Sequence, residues 1–370
     1  MLPAPDRRTF LRSAACLGAG TLLLPGCATT RPRIAAAPAV TCLPRVQVDK
    51  SRLIRAVAGL RPYRDRGFVV REEALGSKRI VHNYGHGGAG ITLSWGTSRL
   101  AVDLGLQGHS GPVAVLGSGV VGLSTARLVQ EAGFPVTIYT AALPPETTSN
   151  IAGGQFHPYG HFRAESVSPE WREQFRKATD YSWRRFQIMV GDEYGIRWLP
   201  TYVERDHPER ALIPNFPPVN RLLARNEHPF PAETILRYDT LYVEVGKYLR
   251  QMLRDVRADG GAVRIGRMAS RDALSSLPER LIINCTGLGA RDLFGDTELR
   301  PARGQVAVML PQSEIQYAYT GSAGYMFPRP DGIILGGTFE LDQWSTEPEP
   351  STIDEIIASH AQLFGSFRCA

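Results

Sequence analysis

The sequence predicts an α/β fold in which a Rossmann-type domain is interleaved with a second, α+β domain. Three observations carry this expectation. The apolar, β-branched run Pro112-Val113-Ala114-Val115-Leu116 leads straight into Gly117-Ser118-Gly119-Val120-Val121-Gly122, which opens a helical pattern over 123–132. A second strand pattern at 135–139 follows at once and completes a βαβ unit. A chain of 370 residues, 43% hydrophobic and 21% charged, buries a core large enough for one big domain or two interleaved ones.

Taken from the N-terminus, the first 27 residues read as an export signal. Arg7-Arg8-Thr9-Phe10-Leu11 precedes an apolar stretch, 14–24, too short to span a bilayer as a helix. The paired arginines resemble a twin-arginine translocation signal, and Leu24-Pro25-Gly26-Cys27 resembles a lipobox whose Cys27 is acylated after cleavage. An ordinary cleaved secretory signal with a chance cysteine is the alternative. Residues 28–41, with their Ala/Pro tract, read as a tether between lipid and domain. The expected location is therefore the periplasm, with membrane attachment through lipid only. The formal charge of +6 falls to +4 without the leader, which takes three arginines and one aspartate with it. So small a charge, with no basic run beyond the leader, leaves no footprint for nucleic acid.

In the βαβ unit, Gly117 permits a tight turn, Gly119 lets the backbone approach a pyrophosphate, and Gly122 lets the helix pack close to the strand. The backbone N–H groups of Val120 and Val121, at the helix N-terminus, would face the phosphates. The carboxylate that usually binds ribose at the end of the second strand is replaced by Thr140-Ala141-Ala142, which counts against a plain NAD dehydrogenase.

Four further segments resemble the D-amino-acid oxidase family. They are His82-Asn83-Tyr84-Gly85-His86-Gly87-Gly88-Ala89-Gly90-Ile91-Thr92, Glu146-Thr147-Thr148-Ser149-Asn150-Ile151-Ala152-Gly153-Gly154-Gln155-Phe156-His157-Pro158-Tyr159, Ile283-Asn284-Cys285-Thr286-Gly287-Leu288-Gly289-Ala290 and Gly59-Leu60-Arg61-Pro62-Tyr63-Arg64. The resemblance extends from about residue 52 to the C-terminus. It implies FAD, bound without a covalent link: Gly117, Gly119, Val120, Val121 and Gly122 at the pyrophosphate, and Thr148, Ser149, Gly153, Gly154, Gln155, Met268, Thr286 and Gly287 along the cofactor. Gly87, Gly88, Ala89, Gly90, Ile91 and Thr92 would wrap the pyrimidine end of the flavin.

These pieces stand in a different order from the family's, in which the arginine strand and the Gly-His-Gly-Gly segment lie near the C-terminus. The chain resembles a circular permutant, with the loop Gln107-Gly108-His109-Ser110-Gly111 joining the helix over 91–106 to the first Rossmann strand. The new ends fall between a helix at 353–364 and a strand at 52–57. The implied division is signal 1–27, linker 28–41, substrate domain 42–79, FAD domain 80–160, substrate domain 161–237, FAD domain 238–300 and substrate domain 301–370.

Oxidising an amino acid requires a grip on its carboxylate, a neutral amine and a Cα–H aimed at the flavin. A planar guanidinium suits the first task, and the resemblance assigns it to Arg64, leaving Arg61 and Arg66 as surface residues. It assigns the amine to the carbonyl of Gly88 and assistance at the carboxylate to the Tyr325 hydroxyl. The family's lid tyrosine falls on Gly321, for which Tyr317 or Tyr319 are candidate substitutes. Gln155 stands where the family has an apolar residue facing the substrate side chain, so a more polar pocket is expected.

Residues 163–237 read as a helix followed by irregular loops, with His161, His207 and His228 in packing or surface roles. The segments 240–249 and 342–345 read as structural. Of five cysteines, Cys16 leaves with the signal, Cys27 takes lipid and Cys285 sits in a buried strand, which leaves a Cys42–Cys369 disulfide across the adjacent ends. No metal-ligand spacing is present. Three functions remain open: an oxidase of D-amino acids using O2, a dehydrogenase passing electrons to quinone or a carrier, and a catalytically idle lipoprotein that binds through the flavin fold.

Overall fold

The four residues Val113, Ala114, Val115 and Leu116 are all fully buried, as parallel strands covered on both faces require. The computed structural model describes residues 42–368. The expected signal, the tether, Cys27 and Cys369 lie outside the described residues.

The chain runs β1 (Leu53–Tyr63), β2 (Val69–Leu75), β3 (Lys78–Tyr84), α1 (Gly90–Leu106), β4 (Val113–Leu116), α2 (Val120–Glu131) and β5 (Val136–Thr140). It continues through α3 (Pro169–Ile188), β6 (Ile196–Val203), β7 (Asn220–Ala224), β8 (Thr234–Val243), α4 (Val245–Ala258), β9 (Ala262–Ile265), α5 (Arg271–Ser275), β10 (Leu281–Asn284) and α6 (Gly289–Phe294). The last part holds β11 (Arg300–Met309), β12 (Ala318–Gly321), β13 (Gly324–Arg329), β14 (Gly332–Gly336), β15 (Glu340–Leu341) and α7 (Pro350–Gly365).

Among the described residues these strands make two sheets. The first is six-stranded, β2-β3-β10-β4-β5-β9, parallel throughout except for β2. Alternation along its strands feeds two cores. Val113, Val115, Val136, Ile138, Val81 and Ile283 join Leu93, Trp95, Leu123 and Ala126 of α1 and α2 on one face. Ala114, Leu116, Ile80 and Ile282 meet Leu274 and Leu293 on the other. The second sheet is nine-stranded, β1-β11-β14-β13-β12-β6-β8-β7, with β15 on β11. Ile353, Ile357, Leu363 and Phe364 of α7 pack against it over Ala307, Met309, Ile333 and Leu335.

The chain passes repeatedly between the two sheets, as expected of interleaved domains. Two details differ from the sequence reading. The strand β2, expected within the substrate-domain segment 42–79, hydrogen-bonds to β3 along its whole length and belongs to the parallel sheet. The loops expected over 163–237 hold strands β6, β7 and the start of β8. Pro200 inside β6 and the half-buried pattern of Ile196–Val203 conceal a strand that is paired on both sides.

Candidate functional site

The two sheets enclose an elongated cavity of about 720 Å³. One end is the βαβ turn. Gly117 adopts φ +97°, and a Cβ there would approach the Cys285 carbonyl oxygen to 2.7 Å. A Cβ at Gly122 would collide with the Gly117 carbonyl oxygen, so this glycine sets the approach of α2 to β4 without lining the cavity itself. The Val120 N–H at the start of α2 donates to the Ser149 hydroxyl at 3.0 Å, which brings the loop 146–149 over the helix N-terminus. Where the ribose acid would stand, Thr140 Oγ1 lies 2.7 Å from the Ala142 carbonyl oxygen and 3.0 Å from Ser118 Oγ, leaving the Ala141–Ala142 backbone as the cavity wall.

Most of the residues expected around a cofactor line this one cavity: Gly117, Gly119, Val120, Val121, Thr148, Ser149, Gly153, Gly154, Gln155, Met268, Thr286, Gly287, Gly87, Gly88, Gly90 and Ile91. Ala89 and Thr92 stand behind the wall. Thr92 is buried and anchors the segment opposite, its Oγ1 lying 3.3 Å from the Gln155 carbonyl, 3.2 Å from that of His157, and accepting from the His157 N–H at 2.9 Å.

The arginine assignment changes. Arg64 does not line the cavity; it is buried in ion pairs with Asp296 and with Glu298 at 2.5 Å, and Asp296 also accepts from the Tyr84 hydroxyl at 2.8 Å. Arg61, expected at the surface, lines the cavity instead. Three positions apart on extended chain, the two side chains leave on opposite faces; Arg64 already belongs to the turn after β1, where its carbonyl accepts from the Gly67 N–H at 3.0 Å. Arg66 is exposed, as expected.

Arg61 is held in place by its neighbours. Its Nη1 donates to the Thr338 carbonyl at 2.9 Å, and its guanidinium lies 5.9 Å from the Phe339 ring centroid. Gly304 makes room for it, since a Cβ there would collide with the guanidinium, and a Cβ at Gly88 would sit 3.6 Å from Arg61 Cδ. No carboxylate among the described residues pairs with it. Tyr325 faces the same space. Burial pushes its hydroxyl pKa up while the neighbouring Arg61 pulls it down, so the group is a protonated donor at neutral pH. Gly336 and Gly337 leave space around its hydroxyl, which a Cβ at Gly337 would approach to 2.7 Å.

Neither candidate for the missing lid tyrosine reaches the cavity. The Tyr317 hydroxyl donates to the Pro44 carbonyl at 2.8 Å, and that of Tyr319 donates to Glu204. A Cβ at Gly321 would run into Glu204 and Tyr319, so glycine is what this packing admits.

Four cavity-lining residues carry buried polar atoms without hydrogen-bond partners: Asn83 Oδ1, Gln155 Nε2, His157 Nδ1 and Thr320 Oγ1. His157 and Thr320 carried no sequence signal, because only the register places them on the cavity face. Burial pushes His157 down to about 4, and His86 and His161 to about 3, so none is a base poised near neutrality. Cys285 is free, with burial pushing its thiol up to about 12, which makes it inert.

These features fit FAD. The glycine turn and the α2 N-terminus would hold the pyrophosphate, 140–142 and 266–268 the adenosine, and 286–289 with 87–91 the flavin. Gly287 at φ +57° offers open space to a large planar group, with nothing within 4 Å of where its Cβ would be.

A model of the family described as DAO, FAD dependent oxidoreductase, matches residues 13–104 and 112–369. The chain is 32% identical over 266 residues to a D-amino-acid oxidase of Streptomyces coelicolor, covering 69% of this chain and 78% of that protein. It is 26% identical over 256 residues to a D-aspartate oxidase of Homo sapiens, covering 66% and 74%. Glycine oxidase from Geobacillus kaustophilus shares the fold with a TM-score of 0.52 at 14% identity, covering 68% and 77%. Iminodiacetate oxidase from Chelativorans sp. BNC1 does so at 0.51 and 17%, covering 69% and 79%.

Proposed function

The chain belongs to the DAO family of FAD-dependent oxidoreductases, and on that premise we propose that it oxidises D-amino acids to imino acids, with O2 as the acceptor. FAD supplies the acceptor for the hydride that leaves Cα. The amine gives up one proton, so the substrate loses two electrons and two protons in all, and O2 takes them up as H2O2.

The chain's own residues bind and orient. Arg61 takes the α-carboxylate through its planar guanidinium, and the Tyr325 hydroxyl donates a second bond to it. The Gly88 carbonyl, close to Arg61, accepts from the amine and fixes the third substituent of Cα. With carboxylate, amine and side chain each assigned a direction, only one enantiomer turns its Cα–H toward the flavin. No side-chain base is required, because the substrate ammonium loses that proton to water on binding and the lone pair of the neutral amine then drives hydride loss from Cα. The observation that carries this reading is Arg61, a cavity-lining arginine without a carboxylate partner, beside a tyrosine hydroxyl.

A second part of the proposal concerns chain order. We read the protein as a circular permutant joined through residues 107–111. In support, the two matched segments of the family model break inside the α1–β4 loop. The second segment alone spans 258 residues (369 − 111), or 70% of the chain, close to the 69% covered by the Streptomyces relative. Export by a twin-arginine signal, acylation at Cys27 and a periplasmic location complete the proposal. They rest on the leader sequence, Arg7-Arg8 and Leu24-Pro25-Gly26-Cys27.

The test is aerobic turnover of purified holoprotein, with H2O2 measured through a peroxidase and the 2-oxo acid through its hydrazone. Stoichiometric formation of both from D-amino acids supports the proposal. Formation of the 2-oxo acid without peroxide, and only with an added quinone, replaces the oxidase by a dehydrogenase.

A further inference from the structure

A line of polar side chains runs from Glu73 on the edge strand β2 to the cavity wall, and the oxidation itself uses none of it. His82 is fully buried in β3, where it pairs with Arg71 of β2 on one side and Asn284 of β10 on the other. Its ring is met edge-on by Tyr84 at 5.6 Å and Phe294 at 4.7 Å. Its Nε2 lies 3.1 Å from the Glu73 carboxylate, and its Nδ1 lies 3.1 Å from Asn284 Nδ2. Beyond Asn284 stands Thr286, half-buried, which lines the cavity next to the phosphate turn: a Cβ at Gly117 would approach Thr286 Cα to 3.6 Å.

The proton positions along this line follow from one backbone group. The Thr286 N–H can only donate, and it meets Asn284 Oδ1 at 3.2 Å. That fixes the amide, with its oxygen toward Thr286 and its NH2 toward His82. The NH2 needs an acceptor, so His82 Nδ1 carries no proton, and Nε2 donates its own to Glu73. Arg271, at 2.5 Å, and Arg71, at 3.5 Å, support the charge on that carboxylate. Burial pushes His82 below its ordinary value against the pull of Glu73, in keeping with a neutral ring. In the other direction, Thr286 Oγ1 lies 2.7 Å from the same Asn284 oxygen, which can only accept. The single hydroxyl proton is spent there, so toward the cavity this oxygen offers lone pairs alone.

Phosphate oxygens and the carbonyl oxygens of a flavin are acceptors, and a threonine held in this state does not bind them. Cofactor hydroxyls are donors, and it does. We propose that Glu73, His82 and Asn284 are positioning residues for FAD: they hold Thr286 as an acceptor for a cofactor hydroxyl and turn it away from the phosphates. His82 acts through its tautomer. A proton on Nδ1 would set N–H against NH2 and turn the Asn284 amide over, which takes from Thr286 the acceptor that orients its hydroxyl. The inference depends on FAD and not on which substrate is oxidised.

The test is FAD affinity, read by flavin fluorescence as the apoprotein is titrated, with melting curves on each variant. Thr286→Val keeps the side-chain shape without the hydroxyl and should weaken binding about tenfold. His82→Leu leaves the Asn284 amide without its acceptor and should weaken it by about the same factor, whereas His82→Asn, whose side-chain oxygen takes the place of Nδ1, should stay within about threefold of wild type. Because both losses act through one hydroxyl, combining His82→Leu with Thr286→Val should bind no more weakly than Thr286→Val alone. Wild-type affinity in His82→Leu or Thr286→Val, or losses that multiply in the combination, would overturn the proposal. So would equal weakening by His82→Leu and His82→Asn, which marks a packing role. A second readout needs no altered fold: the imidazole nitrogen chemical shifts of His82 in the wild-type holoprotein should report a neutral ring protonated on Nε2 at pH 7. An Nδ1–H tautomer or an imidazolium there overturns the proposal as well.

Discussion

Among single residues, two arginines three positions apart, Arg61 and Arg64, divide between cavity and ion pair. Arg61→Ala removes the partner of a desolvated carboxylate and should cost about 2–5 kcal/mol, tens to thousands of fold in kcat/KM, with FAD still bound. Arg64→Ala should instead lower thermal stability by about 3 kcal/mol and leave KM within a few fold, because it strands Asp296 against Tyr84. Steady-state kinetics and melting curves on both variants check this, and equal kinetic losses would contradict it. The sequence reading chose Arg64, whereas the arginine at the end of β1 that lines the cavity is Arg61, on the opposite face. Spacing gives the period of a strand, whereas the side on which the cavity lies depends on β11 and on Gly304, more than 200 positions away in the chain.

At the scale of elements, legibility follows how local the constraint is. The β4 turn was readable because Gly117 and Gly122 answer to their own backbone: a positive φ in one case, contact with a carbonyl five residues earlier in the other. Helix α1 was readable within a residue because its length and apolar content are self-contained. Strand β6 was hidden because one partner, β12, lies far along the chain and Pro200 argues locally against a strand, and β7 because it pairs with the next strand, β8, while staying largely exposed. From the same geometry, Gly122→Ala should push α2 away from β4 and weaken FAD binding about thirtyfold or more, some 2 kcal/mol, with the apoprotein still folded. Flavin fluorescence titration of the apoprotein reads this directly; unchanged affinity would show that the turn tolerates the shift.

For the whole molecule, acid should be destabilising in a defined window. His86, His157 and His161 are held neutral by burial, at about 3, 4 and 3, against 6.5 for an ordinary histidine. Below pH 6.5 the unfolded chain therefore binds more protons than the folded one. Stability present above that pH is lost progressively as pH falls toward the folded values, by up to about 1.4 kcal/mol per histidine per unit. The melting temperature should drop steeply between pH 6.5 and 4.5, and a flat profile there would contradict it. The two ends of the described chain also meet: Val46 and Phe367 share one core, Arg368 donates to the His228 carbonyl at 2.7 Å, and Cys42 is disulfide-bonded. We expect Cys369 to be its partner. Recovery of the Cys42 peptide linked to the C-terminal peptide in a non-reducing digest would establish the staple, and linkage to another cysteine would refute it. The central claim is a stereospecific reaction at a flavin. Its most direct measurement is anaerobic mixing of the holoenzyme with D- and L-enantiomers while the flavin absorbance is followed. Rapid bleaching by D-amino acids, none by their L-enantiomers, and loss of the response in Arg61→Ala are expected. Bleaching by the L-series, or by neither, would contradict it.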